Sequence, residues 1–356
     1  MNYDNLVTNK NYPLILNESS IMLSLVKEIM NMKKLNVTLA ILLAAVMGGN
    51  SQTTVTSDIV GYQTSTIAGK GSGSSFLSFV PNNLAKAAIH TGPGTAAGTV
   101  VTLAGASLSG SIGPVSGVPT HYLLIKTGTG AGFVSDVTAF TAGSVTTADN
   151  LSSSIPAETT VSVVPHTKLT DILGTTTGLL ITGGASVTAA DNVYLVDSTG
   201  TLKTYYYKTG IGAGWKNSSN VDASATIVYP NESIIVSRKQ TSPVSVVTVG
   251  SVASEQSKIV FSQNVNSACS AAPIAITLGS LYPTISGGAN VSAADNVYLI
   301  NPTTGALETF YYKTGIGAGW KTSSNATADA NRDISAGYLV QRRSSTAAIL
   351  TQSKTW

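Results

Sequence analysis

Tyr205, Tyr206, Tyr207 and Trp215, and again Tyr311, Tyr312 and Trp320, are the residues of this 356-residue chain whose types and spacing best suit a binding chemistry. Aromatic rings presented by a strand can stack on the faces of sugar rings, so these seven form the predicted ligand-binding set. They belong to a block, YYKTGIGAGWK, found at 206–216 and unchanged at 311–321. Side chains alternate along a strand, so Tyr205 and Tyr207 share one face and Tyr206 takes the other. At least one tyrosine in each run is therefore expected to face outward. The competing expectation is a core aromatic beside cross-strand surface pairs, with the Trp215 indole N–H bonded to backbone.

Other chemistry finds less footing. KTGIGAG contains G-x-G-x-G, but a dinucleotide fingerprint needs a further G-x-x-G step, a following helix and a strand-borne acid about 20 residues on. Here a Trp and polar turn residues follow, so a hairpin loop is expected and no nucleotide. GKGS at 69–72 lacks the spacing of a phosphate-binding loop. His90, His121 and His166 are isolated, with no H-x-x-x-H pair, and His166 is expected to hydrogen-bond at a module junction. No serine sits in G-x-S-x-G, and no carboxylate pair stands out. The triplet ADN recurs at 148–150, 190–192 and 294–296. A calcium site would need Asp191 to meet another acid such as Asp222; the expected role is instead a turn in which Asp caps its own backbone. Cys269, the one cysteine, is expected to be a small buried residue. No catalytic residue, metal or cofactor is expected, and the protein reads as non-enzymatic.

The elements that must position the aromatics come from a repeat. GGASVTAADNVYL at 183–195 returns as GGANVSAADNVYL at 287–299, and YLLIKTGTGAGF at 122–133 is a fainter third copy. Asn192 to Val196, the turn Asp197 to Gly200, and Thr201 to Lys208 read as a hairpin, and glycines 210, 212 and 214 end its second strand. Helical periodicity is scarce; Leu84 to Ile89 and Thr167 to Leu173 could each give one turn. The fold class expected is all-β, with two or three related antiparallel sandwich-like or barrel-like modules in tandem. The expected boundaries are 52–165, 166–250 and 251–356, the last a duplicate of the second.

Composition sets the partners. The chain has 20 Lys and Arg against 17 Asp and Glu, a net charge of +3 with 10% charged residues, which excludes a dense cationic nucleic-acid face and a charged disordered tail. Residues 32–51, MKKLNVTLAILLAAVMGGNS, have a basic start, an apolar stretch from Val37 to Met47 and small residues before Gln52. That is a secretory signal peptide, too short to span a bilayer as a helix. Translation is then expected to start at Met32, with residues 1–31 a misannotated extension.

Three blocks together carry a resemblance: DIVGYQTSTIAGKGSGSSFLSFVP at 58–81, VVPHTKLTDILG at 163–174, and the tyrosine–glycine–Trp block running to YPNESIIVSRK at 229–239. They resemble uncharacterised secreted β-rich proteins common in verrucomicrobial genomes, with a Lys after the Trp where that pattern has Arg or a polar residue. The resemblance implies export and a β-fold and carries no activity, cofactor or catalytic residue. The expected function is an exported, non-enzymatic structural or interaction protein of the outer envelope, cell surface or extracellular space. Its expected partner is another copy of itself, and the membrane enters only through the export signal. The alternative is a secreted carbohydrate-binding protein gripping an extracellular polysaccharide through its Tyr and Trp residues. A remoter one, an outer-membrane barrel, is suggested by Trp356 and opposed by Gln352 and Lys354 at alternate places before it.

Overall fold

The computed structural model describes residues 59–70, 76–110, 112–271 and 275–353. The expected leader, the extension before it, half of GKGS and Trp356 lie outside the described residues.

The chain opens with β1 (Val60–Ile67), β2 (Phe76–Asn82) and the short β3 (Leu84–Ala85). Six strands then form a closed antiparallel barrel: β4 (His90–Ala97), β5 (Val100–Leu103), β6 (His121–Ile125), β7 (Val134–Thr141), β8 (Ser144–Thr147) and β9 (Thr159–Pro165), in the order β4-β5-β8-β7-β6-β9. Val101, Leu103, Leu123, Ile125, Val145, Val161 and Val163 pack together in its core. Strands of four to eight residues around an apolar filling reverse the membrane-barrel pattern, in which longer strands enclose a polar interior.

After the barrel come β10 (Thr167–Lys168) and the one-turn helix α1 (Leu169–Leu173). They lead to β11 (Asn192–Val196), β12 (Leu202–Lys208), β13 (Gly214–Asn217), β14 (Ile227–Val228), β15 (Glu232–Arg238) and β16 (Val244–Val252). The last part holds β17 (Ser257–Phe261), β18 (Asn264–Ala268), a 3-10 turn at Leu278–Leu281, β19 (Asn296–Ile300), β20 (Leu307–Lys313), β21 (Gly319–Thr322), β22 (Tyr338–Arg342) and β23 (Ala348–Gln352). The all-β expectation holds. Of the two expected single turns of helix, α1 forms, whereas Leu84 and Ala85 instead make β3.

Two five-stranded sheets carry the duplication, β13-β12-β11-β15-β2 and β21-β20-β19-β22-β18. Each has its own core. Val193, Tyr207, Trp215 and Ile234 cluster with α1 in the first, and Val297, Phe310, Trp320 and Val340 with the 3-10 turn in the second. The strand pairing crosses the boundary expected at 165. β2 pairs with β15 (Phe76 opposite Arg238) and β1 with β16 (Tyr62 opposite Val249), as β18 pairs with β22 (Asn264 opposite Arg342) and β17 with β23. Residues 60–82 thus complete the sheets of 192–252, and the barrel is spliced between them. The repeat was visible only in the second half of each unit because β2 (FLSFVPN) and β18 (NVNSA) fill equivalent places with different residues.

The two five-stranded sheets face each other through Phe79, Ile235 and Leu339, flanked by Leu77, Tyr194, Val265 and Tyr298. At their centre Ser267 Oγ donates to Ser233 O (2.6 Å). The packing is reciprocal. Asn264 Nδ2, at the start of β18, donates to Thr199 O in the β11–β12 turn (3.2 Å), and Leu77 N, at the start of β2, donates to Gly305 O in the β19–β20 turn (3.3 Å). Equivalent parts of the two copies therefore touch each other as across a two-fold axis.

Candidate functional site

Most of the predicted aromatic set lies in the cores. Trp215, Tyr206, Tyr207, Tyr311 and Trp320 are buried; Tyr205 and Tyr312 are half-buried. Trp215 Nε1 donates to Gly174 O (2.8 Å), the backbone partner expected of it, and its ring meets Tyr207 edge-on at 5.9 Å. Tyr312 and Trp320 repeat that contact at 5.9 Å, and Tyr282 stacks flat on Tyr312 at 3.6 Å. The alternation itself holds: Tyr205 and Tyr207 pack on one core, and Tyr206 takes the other face. The tyrosine that alternation turns away from that core does not reach solvent. Tyr206 and Tyr311 are covered on that face, each donating its hydroxyl to an asparagine, Asn220 (3.2 Å) and Asn325 (2.9 Å), held at positive φ in the turn after the next strand. A sheet packed on both sides leaves no free face for stacking, which corrects the expectation for these five residues.

The ADN aspartates also differ from expectation. Asp191 is fully buried, and its carboxylate accepts from Thr182 N (2.8 Å), Lys239 N (2.7 Å) and Arg238 Nη1 (3.3 Å). Asp295 repeats this with Ser286 N (2.7 Å), Arg343 N (2.8 Å) and Arg342 Nη1 (3.1 Å). These are clamps between distant segments rather than local caps. Asp149, in the fainter copy, is exposed and accepts from Ser135 Oγ. Asp222 pairs with Lys216 (3.7 Å), away from Asp191, and no metal-binding cluster occurs among the described residues. Cys269 is buried as expected, and burial pushes its thiol up, away from reactivity. His166 lies at the expected junction, its Nε2 2.9 Å from Asp136 Oδ1.

Tyr205, from the predicted set, lines an open groove. The groove holds about 730 Å³ between the barrel, the β11–β15 sheet and the β17–β18 segment. Phe133 and Tyr229 add apolar ring surface, and Asp197, Lys203, Glu232 and Lys258 add charge. Asp197 accepts from the Thr199 hydroxyl (2.7 Å) and from the Thr201 and Thr199 amides, all in the tight turn that joins β11 to β12. Those bonds hold its carboxyl well below the usual range. The Tyr229 hydroxyl donates to Asp136 Oδ2 (3.1 Å), and burial followed by that neighbouring charge raises its phenol. Burial lifts the Glu232 carboxyl to about 7 while it accepts from Tyr229 N (3.1 Å). Such a groove, with half-buried rings and fixed acceptors, can hold a polar ligand with apolar faces.

A second surface went unread in the sequence. On the outer face of β1 and β16, Val60 and Tyr62 are 69% and 76% exposed, and Val249, opposite Tyr62, is 69% exposed with Val247 beside it. The signal was present in VGYQTSTI, whose burial alternates along the whole strand.

The architecture therefore defines an all-β protein with two reciprocally packed copies of one sheet and a filled barrel spliced into the first. Comparison with protein-family models, with curated proteins and with solved structures finds no match.

Proposed function

We propose that the protein is an exported, non-enzymatic structural component of the cell surface or extracellular space whose copies associate with one another. The observation that carries this reading is the β1 edge. In the order β1-β16-β3, one side of β1 has no strand partner among the described residues, and its outward face with β16 exposes Val60, Tyr62, Val247 and Val249. An eight-residue edge strand with exposed Val60 and Tyr62 is a template for another strand, and β1 of a second copy can pair with it antiparallel across a two-fold axis. A net charge of only +3 on the chain leaves little repulsion between copies. The leader at 32–51 and the resemblance to secreted β-rich proteins support export.

Sedimentation velocity of the purified chain over a hundredfold concentration range tests this. Association that rises with concentration and is abolished by Tyr62→Lys is expected; a monomer at the highest concentration sinks the reading.

The groove around Tyr205 favours a second reading, a carbohydrate-binding protein that holds an extracellular polysaccharide. It requires Tyr205→Ala to weaken retention on the polysaccharide while the fold survives, and unchanged retention removes it.

A further inference from the structure

The loops between β12 and β13 and between β20 and β21 are the same sequence, KTGIGAGW, and each ends in an isoleucine that touches almost nothing. Ile211 is 97% exposed and Ile316 is 96% exposed. The flanking glycines fix this. Gly210, Gly212 and Gly214 have φ of 77°, 71° and 137°, Gly315, Gly317 and Gly319 match them within a few degrees, and a Cβ at any of the six would meet nothing within 4 Å. Left-handed angles on both sides of one side chain turn it out of the sheet.

The barrel's version of the loop runs the other way. KTGTGAGF joins β6 to β7 with Thr129, itself exposed, in place of the isoleucine, and that loop's backbone is held from outside: Lys258 Nζ donates to Thr129 O (2.8 Å) and Gln256 Nε2 to Ala131 O (3.3 Å). At the same exposed place the barrel loop carries a polar residue, whereas the two sheet loops carry an apolar one, which solvent alone does not favour. Neighbours on the same hairpins have diverged between the copies, Lys203 against Glu308 and Asp222 against Thr327, while the isoleucine has not.

Each tip is also basic. Lys208, Lys216 and Lys239 stand at the loop end of the first sheet, and Lys313, Lys321 and Arg343 at that of the second. No acid occurs in the loops themselves, 208–216 and 313–321; the next acids along the chain are Asp222, which pairs with Lys216 (3.7 Å), and Asp329. Lys208 and Lys313 carry no ion pair among the described residues. The two tips point to opposite ends. Phe76 is level with Arg238, at the loop end of its sheet, and a Cβ on Gly305, in the turn at the far end of the other hairpin, would touch its ring. A seven-residue strand separates turn from loop in each sheet, about 23 Å.

We propose that the two loops are lipid-surface contacts, each setting one isoleucine into the boundary between headgroups and acyl chains of an anionic bilayer, so that one molecule bridges two lipid surfaces. Charge selects the occupant. Two basic tips repel each other, which disfavours a second copy, whereas anionic headgroups attract the lysines and the acyl boundary takes the isoleucine. The inference is independent of the β1 edge, which lies on another sheet.

The test is co-sedimentation and turbidity with vesicles of phosphatidylcholine alone and of phosphatidylcholine with 30% phosphatidylglycerol, using the full chain and the variants I211S, I316S and I211S/I316S. The apolar stretch at 37–47 is common to all four proteins, so differences between them report the tips. Expected are binding to the anionic vesicles that weakens with salt, clustering by the wild type, clustering lost in either single variant, and partition about tenfold lower in the double variant. Equal partition of wild type and double variant overturns the proposal, as does equal binding to the uncharged vesicles. Self-association without vesicles that the serines abolish overturns it in favour of a second copy. Circular dichroism of the variants matches the wild type if the tips carry no packing.

Discussion

Arg238 Nη1 lies 3.3 Å from Asp191 Oδ2 inside the first sheet, and Arg342 repeats the pair with Asp295 at 3.1 Å in the second. Both side chains of each pair are almost fully buried, and each carboxylate also takes two backbone N–H groups. The pair ties β15, or β22 in the second sheet, to the loop that enters its neighbour β11 or β19. Desolvation offsets much of the Coulomb gain in such a pair, but removing one partner strands the other charge. Asp191→Ala is expected to cost about 3–5 kcal/mol by urea unfolding. Asp191→Asn with Arg238→Met together should cost less than the sum of the two single changes. Additive losses would show that the ions do not depend on each other.

Trp215 separates a core role from a binding role. Its ring is buried against Tyr207 and its N–H fills Gly174 O, so Trp215→Phe is expected to lower stability by about 1–3 kcal/mol and Trp215→Ala by about 3–5 kcal/mol. Tyr205→Ala, half-buried at the groove, should cost less than Trp215→Ala. Thermal unfolding of the three variants checks the order, and a stable Trp215→Ala would return the residue to the surface.

The sequence carried the second half of each unit well. Asp197 to Gly200 closes the predicted hairpin through the Asp197 carboxylate, and Trp215 finds its backbone acceptor. It carried the first half poorly. β1 and β2 pair with strands 150 or more residues away, and no local pattern in FLSFVPN announces β15 as its partner. The aromatic set was misplaced for a related reason. Alternation assigns a face to Tyr206, but whether that face is wet depends on packing far along the chain. Ile211 was plain in the sequence, and its exposure came only from the left-handed glycines on either side.

Glu232 makes stability depend on pH. Its carboxyl is raised from 4.5 to about 7 by burial, so between those values the folded chain keeps a proton that the unfolded chain has released. Stability from this group is therefore full below pH 4.5, falls as pH rises to about 7, and is flat above. The fall is expected to be on the order of 2–3 kcal/mol, and Glu232→Gln should remove it. Urea midpoints at pH 5 and 8 for both proteins measure this, and a parallel pH dependence in the two would refute it.

Gly200 and Gly210 have the same backbone angle, φ 77°, at opposite ends of β12, and they isolate what the reciprocal packing contributes. A Cβ at Gly210 meets nothing within 4 Å, whereas one at Gly200 would lie 2.5 Å from Asn264 Cβ and 2.6 Å from Val265 N, on the other copy of the sheet. Gly210→Ala therefore bears only left-handed strain, about 1–2 kcal/mol. Gly200→Ala bears the same strain and must also push the two sheets apart, where backbone cannot yield as a side-chain tip can, so its loss is expected to exceed that of Gly210→Ala by at least about 1–3 kcal/mol. Equal losses by urea unfolding would mean that the β11–β12 turn does not bear on β18, and with that the two-fold relation between the copies would lose one of its two contacts.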